Sequence, residues 1–228
     1  MKVFRLIKKY RQIPERKKII VYGKLAFLKN LFYFVFKIVV GIVFKSWFLI
    51  AIALYGLCIG YVKNNCSSGL WRNKDSVKDI FSYIQGGAVL SISSICYIVY
   101  SIFQIYFPSN TKYNLIIAIA IACFAFYSIS MSMWGVIRAK GKTMLIKQYK
   151  LTNFATAFNN LVLTQIAILS VIPHSGNTAL YNGIIGIVAG CLVLITGIYL
   201  IIDGVIKKHR YERIIKKYPE IDKYLNKN

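Results

Sequence analysis

The strongest constraint in this sequence is a series of long apolar segments separated by short basic ones. Five such segments cover residues 31–62, 80–107, 114–137, 151–172 and 180–202. A bilayer core of about 30 Å is crossed by roughly 20 helical residues, so each segment is long enough to reach across it. Helices are expected because an open strand would leave its backbone groups unpaired in lipid. The sequence predicts an all-α polytopic integral membrane protein, a bundle of five hydrophobic helices of which four or five span.

Composition favours a membrane protein over the soluble alternatives. The chain has 228 residues, of which 57% are hydrophobic and 16% are charged, and one soluble core of this size cannot hide so much apolar surface. The same hydrophobicity excludes intrinsic disorder. The net charge of +23 is also typical of nucleic-acid-binding proteins. Here, however, the basic residues lie between apolar runs, so we expect a lipid bilayer and no nucleic acid as the partner.

The distribution of charge divides the chain into three regions. Residues 1–30 carry ten Lys and Arg, with apolar residues at helical spacing from Val3 to Tyr10, and are predicted to form a basic amphipathic segment on the cytoplasmic face. Residues 31–206 form the transmembrane domain, and residues 207–228 form a basic cytoplasmic tail. Basic amphipathic helices at both ends would bind anionic lipid headgroups, although the tail also fits a simple solvated helix.

Charge and hydropathy disagree about the number of crossings. Basic loops stay in the cytoplasm, and both chain ends and the loop 138–150 are strongly basic. Five spans would place that loop and the tail outside, whereas four spans after residue 79 keep every basic region inside. We therefore expect segment 31–62 to lie in the interface or to re-enter, the alternative being that 46–62 spans. The prediction is a multi-pass protein of the plasma (cytoplasmic) membrane with both termini in the cytoplasm.

Small residues recur along two segments. Glycines at intervals of three, four and seven residues form one stripe on segment 180–202 and its end: Gly183, Gly186, Gly190, Gly197 and Gly204. A matching stripe on segment 114–137 and its end consists of Ala118, Ala122, Ala125, Ser132, Gly135 and Ala139. Helices in membranes approach closely where side chains are small. The stripes predict helix packing within the chain, or else a seam with a second copy or with another membrane protein.

Segment 151–172 carries an unusual polar face. At 100° per residue, most of its polar side chains fall within roughly 140° of the helix circumference. The candidate site residues on this face are Asn153, Thr156, Asn160 and Thr164. Amides inside a span are costly unless they find hydrogen-bond partners. One interpretation is a hydrogen-bonded seam with the polar face of segment 80–107, which consists of Tyr83, Ser94, Tyr97, Ser101 and Gln104. The other is a polar cavity for a small solute or an ion.

The sequence offers little for catalysis or for cofactors. Four of the five cysteines lie in apolar segments, where thiols behave as small hydrophobes, and only Cys66 is predicted to lie in a loop. The spacing of Cys and His matches no metal site, and no phosphate-cradling glycine loop is present. Asp203 lies at the edge of segment 180–202 and is followed by Lys207, with which an ion pair is expected. We therefore predict no metal, no cofactor and no enzymatic activity.

These features lead to three functional hypotheses. The first is a non-enzymatic membrane component, of accessory, immunity or regulatory type, that acts through helix–helix contacts. The second is a transporter or channel for a small solute or an ion that uses the polar face of segment 151–172. The third and least favoured is a membrane enzyme acting on lipids. The content of Ile, Lys, Asn and Tyr is typical of proteins from AT-rich bacterial genomes.

Overall fold

The computed structural model describes residues 14–43, 47–72, 77–107, 114–171 and 178–217. These residues form six helices and contain no strand, which confirms the all-α prediction. The helices are α1 (Glu15–Val43), α2 (Trp47–Arg72), α3 (Val77–Tyr106), α4 (Leu115–Arg138), α5 (Met144–Val171) and α6 (Thr178–Lys217). They pack as three antiparallel pairs, α1 with α2, α3 with α6, and α4 with α5.

The first apolar segment was counted as one of five hydrophobic helices, but the structure divides it between two. Residues 31–62 are divided between α1 and α2, and the chain reverses direction between the two helices. Arg16 near the start of α1 donates two hydrogen bonds, of 2.8 and 3.1 Å, to the carbonyl of Leu70 near the end of α2. A mainly apolar segment of 32 residues is too long for one straight span, and a helical hairpin accommodates it. Residues 44–46, and the amphipathic helix predicted from Val3 to Tyr10, lie outside the described residues.

The second pair depends on close approach of two backbones. A Cβ added at Gly197 of α6 would lie 2.9 Å from the amide nitrogen of Ser91 and 3.0 Å from the carbonyl oxygen of Gly87, both in α3. These are backbone atoms, so no side-chain rotation relieves the contact. Only glycine permits this separation of the helices.

The third pair, α4 and α5, is a helical hairpin with a short turn. Asn114 caps the start of α4 by accepting a hydrogen bond of 3.2 Å from the backbone of Ile116. The turn after Arg138 contains Gly141, whose φ of 78° suits glycine far better than other residues. This turn carries Lys140 and Lys142 at the exposed end of the hairpin.

Helices α2, α3 and α5 form the centre of the bundle. The buried side chain of Gln148 in α5 joins all three, because its Oε1 accepts from the thiol of Cys66 in α2 (3.1 Å) and its Nε2 donates to the carbonyl of Tyr83 in α3 (3.1 Å). The apolar core around it includes Val62 and Leu90. An amide with partners on both neighbours fixes the register of the three helices without leaving a buried polar group unpaired.

Four helices, α3 to α6, are long and apolar enough to cross a bilayer, and the protein is accordingly a multi-pass membrane protein. Their outward faces carry large exposed apolar side chains such as Ile95, Phe126 and Ile195. The antiparallel pairing brings the start of α1, the end of α2, the starts of α3 and α5, the end of α4 and the basic part of α6 to one side of the bundle. We call this side the basic end.

Candidate polar cavity

A cavity of about 650 Å³ lies between α1, α2, α4 and α5. Three of the four polar residues singled out on segment 151–172 line this cavity, namely Asn153, Thr156 and Asn160. Thr164, the fourth, is buried and lies outside the lining. Beside the cavity, the hydroxyl of Ser132 in α4 donates to the carbonyl of Asn153 (3.3 Å). The polar face therefore serves partly as a cavity wall and partly as a contact with α4.

The hydroxyl of Thr156 connects the cavity wall to α2. It accepts a hydrogen bond of 3.1 Å from the ammonium group of Lys63 and donates one of 2.9 Å to the carbonyl of Thr152. Asn159 lines the same cavity. Its side-chain oxygen is buried and has no hydrogen-bond partner among the described residues, so this wall has hydrogen-bonding capacity that the described protein atoms do not fill.

Two further residues of the polar face bind α4. The amide nitrogen of Asn160 donates to the hydroxyl of Ser128 (3.3 Å), and the hydroxyl of Thr164 donates to the carbonyl of Ile121 (3.4 Å). The hydroxyl of Thr164 also donates to the carbonyl of Asn160 on its own helix (3.0 Å). These bonds form a short seam between α4 and α5 at one edge of the cavity.

Segment 80–107 was one candidate partner of this face, and three of its polar residues, Tyr83, Ser94 and Ser101, lie toward α6. Ser101 of α3 lies against Gly186 of α6, with its Cβ 2.9 Å from where a Cβ of that glycine would be, and the backbone of Ser94 lies close to Gly190. The hydroxyl of Tyr83 donates to Asp203 of α6 (2.8 Å). The polar face of α3 therefore packs closely against the glycines of α6. The polar face of α5 contacts α4 and α2 instead.

Three lysines from three helices also line the cavity: Lys29 of α1, Lys63 of α2 and Lys150 of α5. Lys63 is only 8% exposed, and the positive charges of Lys29 and Lys63 are close enough to interact. Along the described part of the lining there is no acidic residue. Sequence reasoning missed this cluster, because the lysines are distant in the chain and each reads as a topological marker at the end of a segment.

The remaining walls of the cavity are apolar and aromatic. They include Phe34 of α1 and, on α4, Phe124, Tyr127 and Met131. In the described ranges no Cα atom of α1 lies within 8 Å of a Cα atom of α4, so only side chains can close the cavity between these two helices. A molecule in the cavity would meet ammonium and amide groups on one side and apolar side chains on the other.

The predicted glycine stripe lies away from the cavity. All five of its members are buried and face α3: Gly183, Gly186, Gly190, Gly197 and Gly204. The stripe of small residues on α4 includes Gly135, against which the side chain of Lys150 packs, with the lysine Cδ 3.2 Å from where a Cβ would be. Both stripes therefore meet helices of the same chain.

A second charged cluster lies at the basic end, between α3, α5 and α6. The carboxylate of Asp203 accepts hydrogen bonds from Lys207 (2.9 Å), Tyr83 (2.8 Å) and Lys147 (3.2 Å). Lys147 also donates to the hydroxyl of Tyr199. One carboxylate thus pairs with two ammonium groups and ties three helices together.

The described residues contain no group of three His, Cys, Asp or Glu that could hold a metal ion. The chemistry available in the cavity is that of ammonium, amide and hydroxyl groups, which bind and orient polar molecules. No family model, no curated protein and no solved structure matches this chain.

Proposed function

We propose that this membrane protein binds a small polar solute in the cavity between α1, α2, α4 and α5, as a transporter or channel does. The observation that carries the proposal is the placement of Asn153, Thr156 and Asn160 on a cavity wall of about 650 Å³. Ligand sites typically have volumes of about 300–1,000 Å³ and a few convergent polar groups. In a membrane protein, polar side chains at depth usually face a partner or a water-filled path.

The hairpin of α1 and α2 supports a specific topology for this protein. If the basic end lies in the cytoplasm, all the basic loops are on the side that the positive-inside rule requires. Helices α3 to α6 would then cross four times, while the hairpin enters from the cytoplasmic side and returns to it. This arrangement reconciles five apolar segments with charge placement that fits four crossings. The proposed location is the plasma membrane of a bacterium, with both termini in the cytoplasm.

The hypothesis of an accessory, immunity-type or regulatory component remains a second proposal. It was motivated by the stripes of small residues, and α3 occupies the stripe on α6 while α5 contacts α4. A seam with another copy or another protein would therefore have to use other faces. The described cavity lining contains no Asp, Glu, His or Cys, which favours solute binding over an enzyme acting on lipids.

The test uses the accessibility of the cavity to water-soluble thiol reagents in native membranes. In the variant Asn153→Cys the new thiol should react with neutral hydroxyethyl methanethiosulfonate, because water reaches the cavity wall. The matched control is Ala157→Cys, one turn further along α5, where the side chain is fully buried and should stay unmodified. Mass spectrometry of peptides separates the introduced thiol from the native cysteines.

Reaction at residue 153 with protection at residue 157 supports the cavity. Protection of both thiols, in protein that remains monodisperse, means that the polar face is a closed seam and overturns the proposal. The partner hypothesis makes the opposite prediction in crosslinking. A photoreactive group placed at the exposed side chain of Ile95 would then capture one defined membrane protein.

A further inference from the structure

One lysine in the cavity wall is buried beside a neutral partner. Lys63 is 8% exposed, and within the described part of the chain its Nζ atom bonds only to the hydroxyl oxygen of Thr156, at 3.1 Å. That hydroxyl donates its own hydrogen to the carbonyl of Thr152, so it accepts from Lys63 and cannot donate to it. The charge of Lys29, which lies near enough to interact, has the same sign as that of Lys63.

This environment increases the fraction of Lys63 that is a neutral amine. Removing a charge from water costs free energy, and so does placing it near a second positive charge. The neutral amine avoids both costs and can still donate to Thr156. Its nitrogen then carries a lone pair that receives no hydrogen bond from the described residues. A lysine that is desolvated and lies near another cation is an activated nucleophile.

The walls around this amine suit an organic ligand with an apolar body. The rings of Tyr55 on α2 and of Phe124 and Tyr127 on α4 line the cavity. The buried side-chain oxygen of Asn159, on the next turn of α5 after Thr156, has no hydrogen-bond partner among the residues described. It would accept a hydrogen bond from a hydroxyl or amide group of the ligand. Because a lysine amine forms covalent intermediates with carbonyl compounds, the reactive group of such a ligand would be a carbonyl.

We propose that Lys63 is an attachment site for an aldehyde, which it binds covalently as an imine. The Nζ lone pair attacks the carbonyl carbon, and a carbon–nitrogen double bond replaces the carbon–oxygen double bond. The carbonyl oxygen leaves as water with the two hydrogens of the neutral amine, so the step needs no oxidant and no reductant. A protonated imine can still donate to the hydroxyl of Thr156. This inference rests on the proposed function, since it names the class of ligand for the same cavity.

The test traps the imine in the full chain in native membranes. The probe is uncharged benzaldehyde, and sodium cyanoborohydride reduces any imine to a stable secondary amine. Mass spectrometry of peptides then gives the labelled fraction of each lysine. At neutral pH, Lys63 should be labelled about tenfold faster than the exposed Lys140 of the α4–α5 turn, because an ordinary lysine is almost entirely protonated there. The labelling rate of Lys63 should also saturate as the benzaldehyde concentration rises.

A second lysine of the cavity is an internal control. Lys29 lines the same space but is exposed, so simple accumulation of benzaldehyde in the cavity would label Lys29 and Lys63 alike. Lys29→Met should slow the labelling of Lys63 several-fold, since it removes the like charge, whereas Lys140→Met should leave that rate unchanged. Labelling of Lys63 no faster than that of Lys29 or Lys140 overturns the attachment site, and so does an equal effect of the two variants.

The thiol reagent separates this proposal from the proposed function. If the neutral reagent reacts at Asn153→Cys but Lys63 is not labelled ahead of the control lysines, the cavity stands and the attachment site is wrong. If the thiol at residue 153 is protected and Lys63 is unlabelled, the proposed function fails together with the inference that rests on it.

Discussion

Two charged clusters include lysines of α5, and they differ in one respect. At the basic end, Lys147 and Lys207 share the carboxylate of Asp203. In the cavity, Lys63 and Lys150 line a space whose described lining contains no acidic residue. The ammonium group of Lys63 bonds there to the neutral hydroxyl of Thr156. The clusters therefore differ in the groups around their lysines: a carboxylate at the basic end, and hydroxyl and amide groups along the described wall of the cavity.

The two clusters also differ in packing. The first lies where α3 and α6 are in close contact through glycines such as Gly197. The second lies where α1 and α4 stay apart. Tight packing leaves room for the short carboxylate of Asp203 and for little else, whereas the gap leaves a cavity. Four variants test this comparison, beginning with the largest expected effect.

The largest effect should follow from Gly197→Leu. The new side chain would push against the backbone of Gly87 and Ser91, separate α6 from α3 and so remove Asp203 from Tyr83. Overpacking of this kind costs about 3 kcal/mol. The control is Cys191→Leu on the same helix, where the native side chain is exposed. Thermal unfolding and size-exclusion chromatography should show loss of monodisperse protein for the glycine variant only, and equal behaviour of the two would contradict close packing.

The second effect should follow from Asp203→Asn, which removes the internal counter-anion. Asparagine can still accept from Tyr83, but Lys147 and Lys207 would then face each other without a negative charge. We expect a loss of about 1.5–2 kcal/mol in the free energy of unfolding, below the value for a fully buried site because the cluster is partly solvated. The control Glu212→Gln lies on the same helix, where its side chain is 55% exposed, and should change stability little. If Asp203→Asn unfolds with the same free energy as the native protein, the carboxylate does not stabilise this cluster, and the contrast with the cavity is contradicted.

The packing face of α6 could be predicted from the sequence, but the cluster of lysines in the cavity could not. The glycine stripe is visible because helical periodicity places Gly183 to Gly204 on one side of a single helix. The polar face of α5 was equally visible for the same reason. The cluster of Lys29, Lys63 and Lys150 depends on how three helices come together, and no local periodicity encodes that arrangement.

Segment 31–62 shows a second limit of sequence reasoning. Its length of 32 residues indicated something other than one straight span, but the helix boundaries were not evident, because α1 begins at Glu15 in the basic region and α2 continues to Arg72 beyond the apolar run. Hydropathy locates apolar residues, whereas helices extend as long as backbone hydrogen bonds and tertiary contacts support them. The sequence left the partner of the polar face open for a related reason, since nothing local shows which neighbour a face will meet.

The third effect should follow from Asn153→Asp, which gives the cavity a carboxylate of its own. The new charge would lie one turn from Lys150 and could pair with it. The free energy of unfolding should rise by about 1 kcal/mol, because a partly solvated ion pair replaces an amide and the cavity would then resemble the cluster at Asp203. The matched control is Asn114→Asp at the N-cap of α4, where aspartate is equally favourable and thermal unfolding should be unchanged. Equal unfolding of the cavity variant and the native protein would contradict the charge argument.

The smallest effect should follow from Ser128→Ala, which removes the hydroxyl that accepts from Asn160. Hydrogen bonds between membrane helices contribute about 0.6 kcal/mol on average. The control is Ser130→Ala on the same helix, since Ser130 is exposed and bonds only within α4, to the carbonyl of Phe126. Urea or thermal unfolding of the two variants gives the difference.

The size of this loss distinguishes a wet cavity from a dry seam. Where water or a solute reaches Asn160, it replaces the lost acceptor, and the cost of Ser128→Ala stays near the average value. In a dry seam the amide would remain buried without a partner, which costs about 1–3 kcal/mol. A loss in that upper range would therefore contradict the cavity even if the protein stayed folded, whereas a small one would support the view that the fold leaves this space for a ligand.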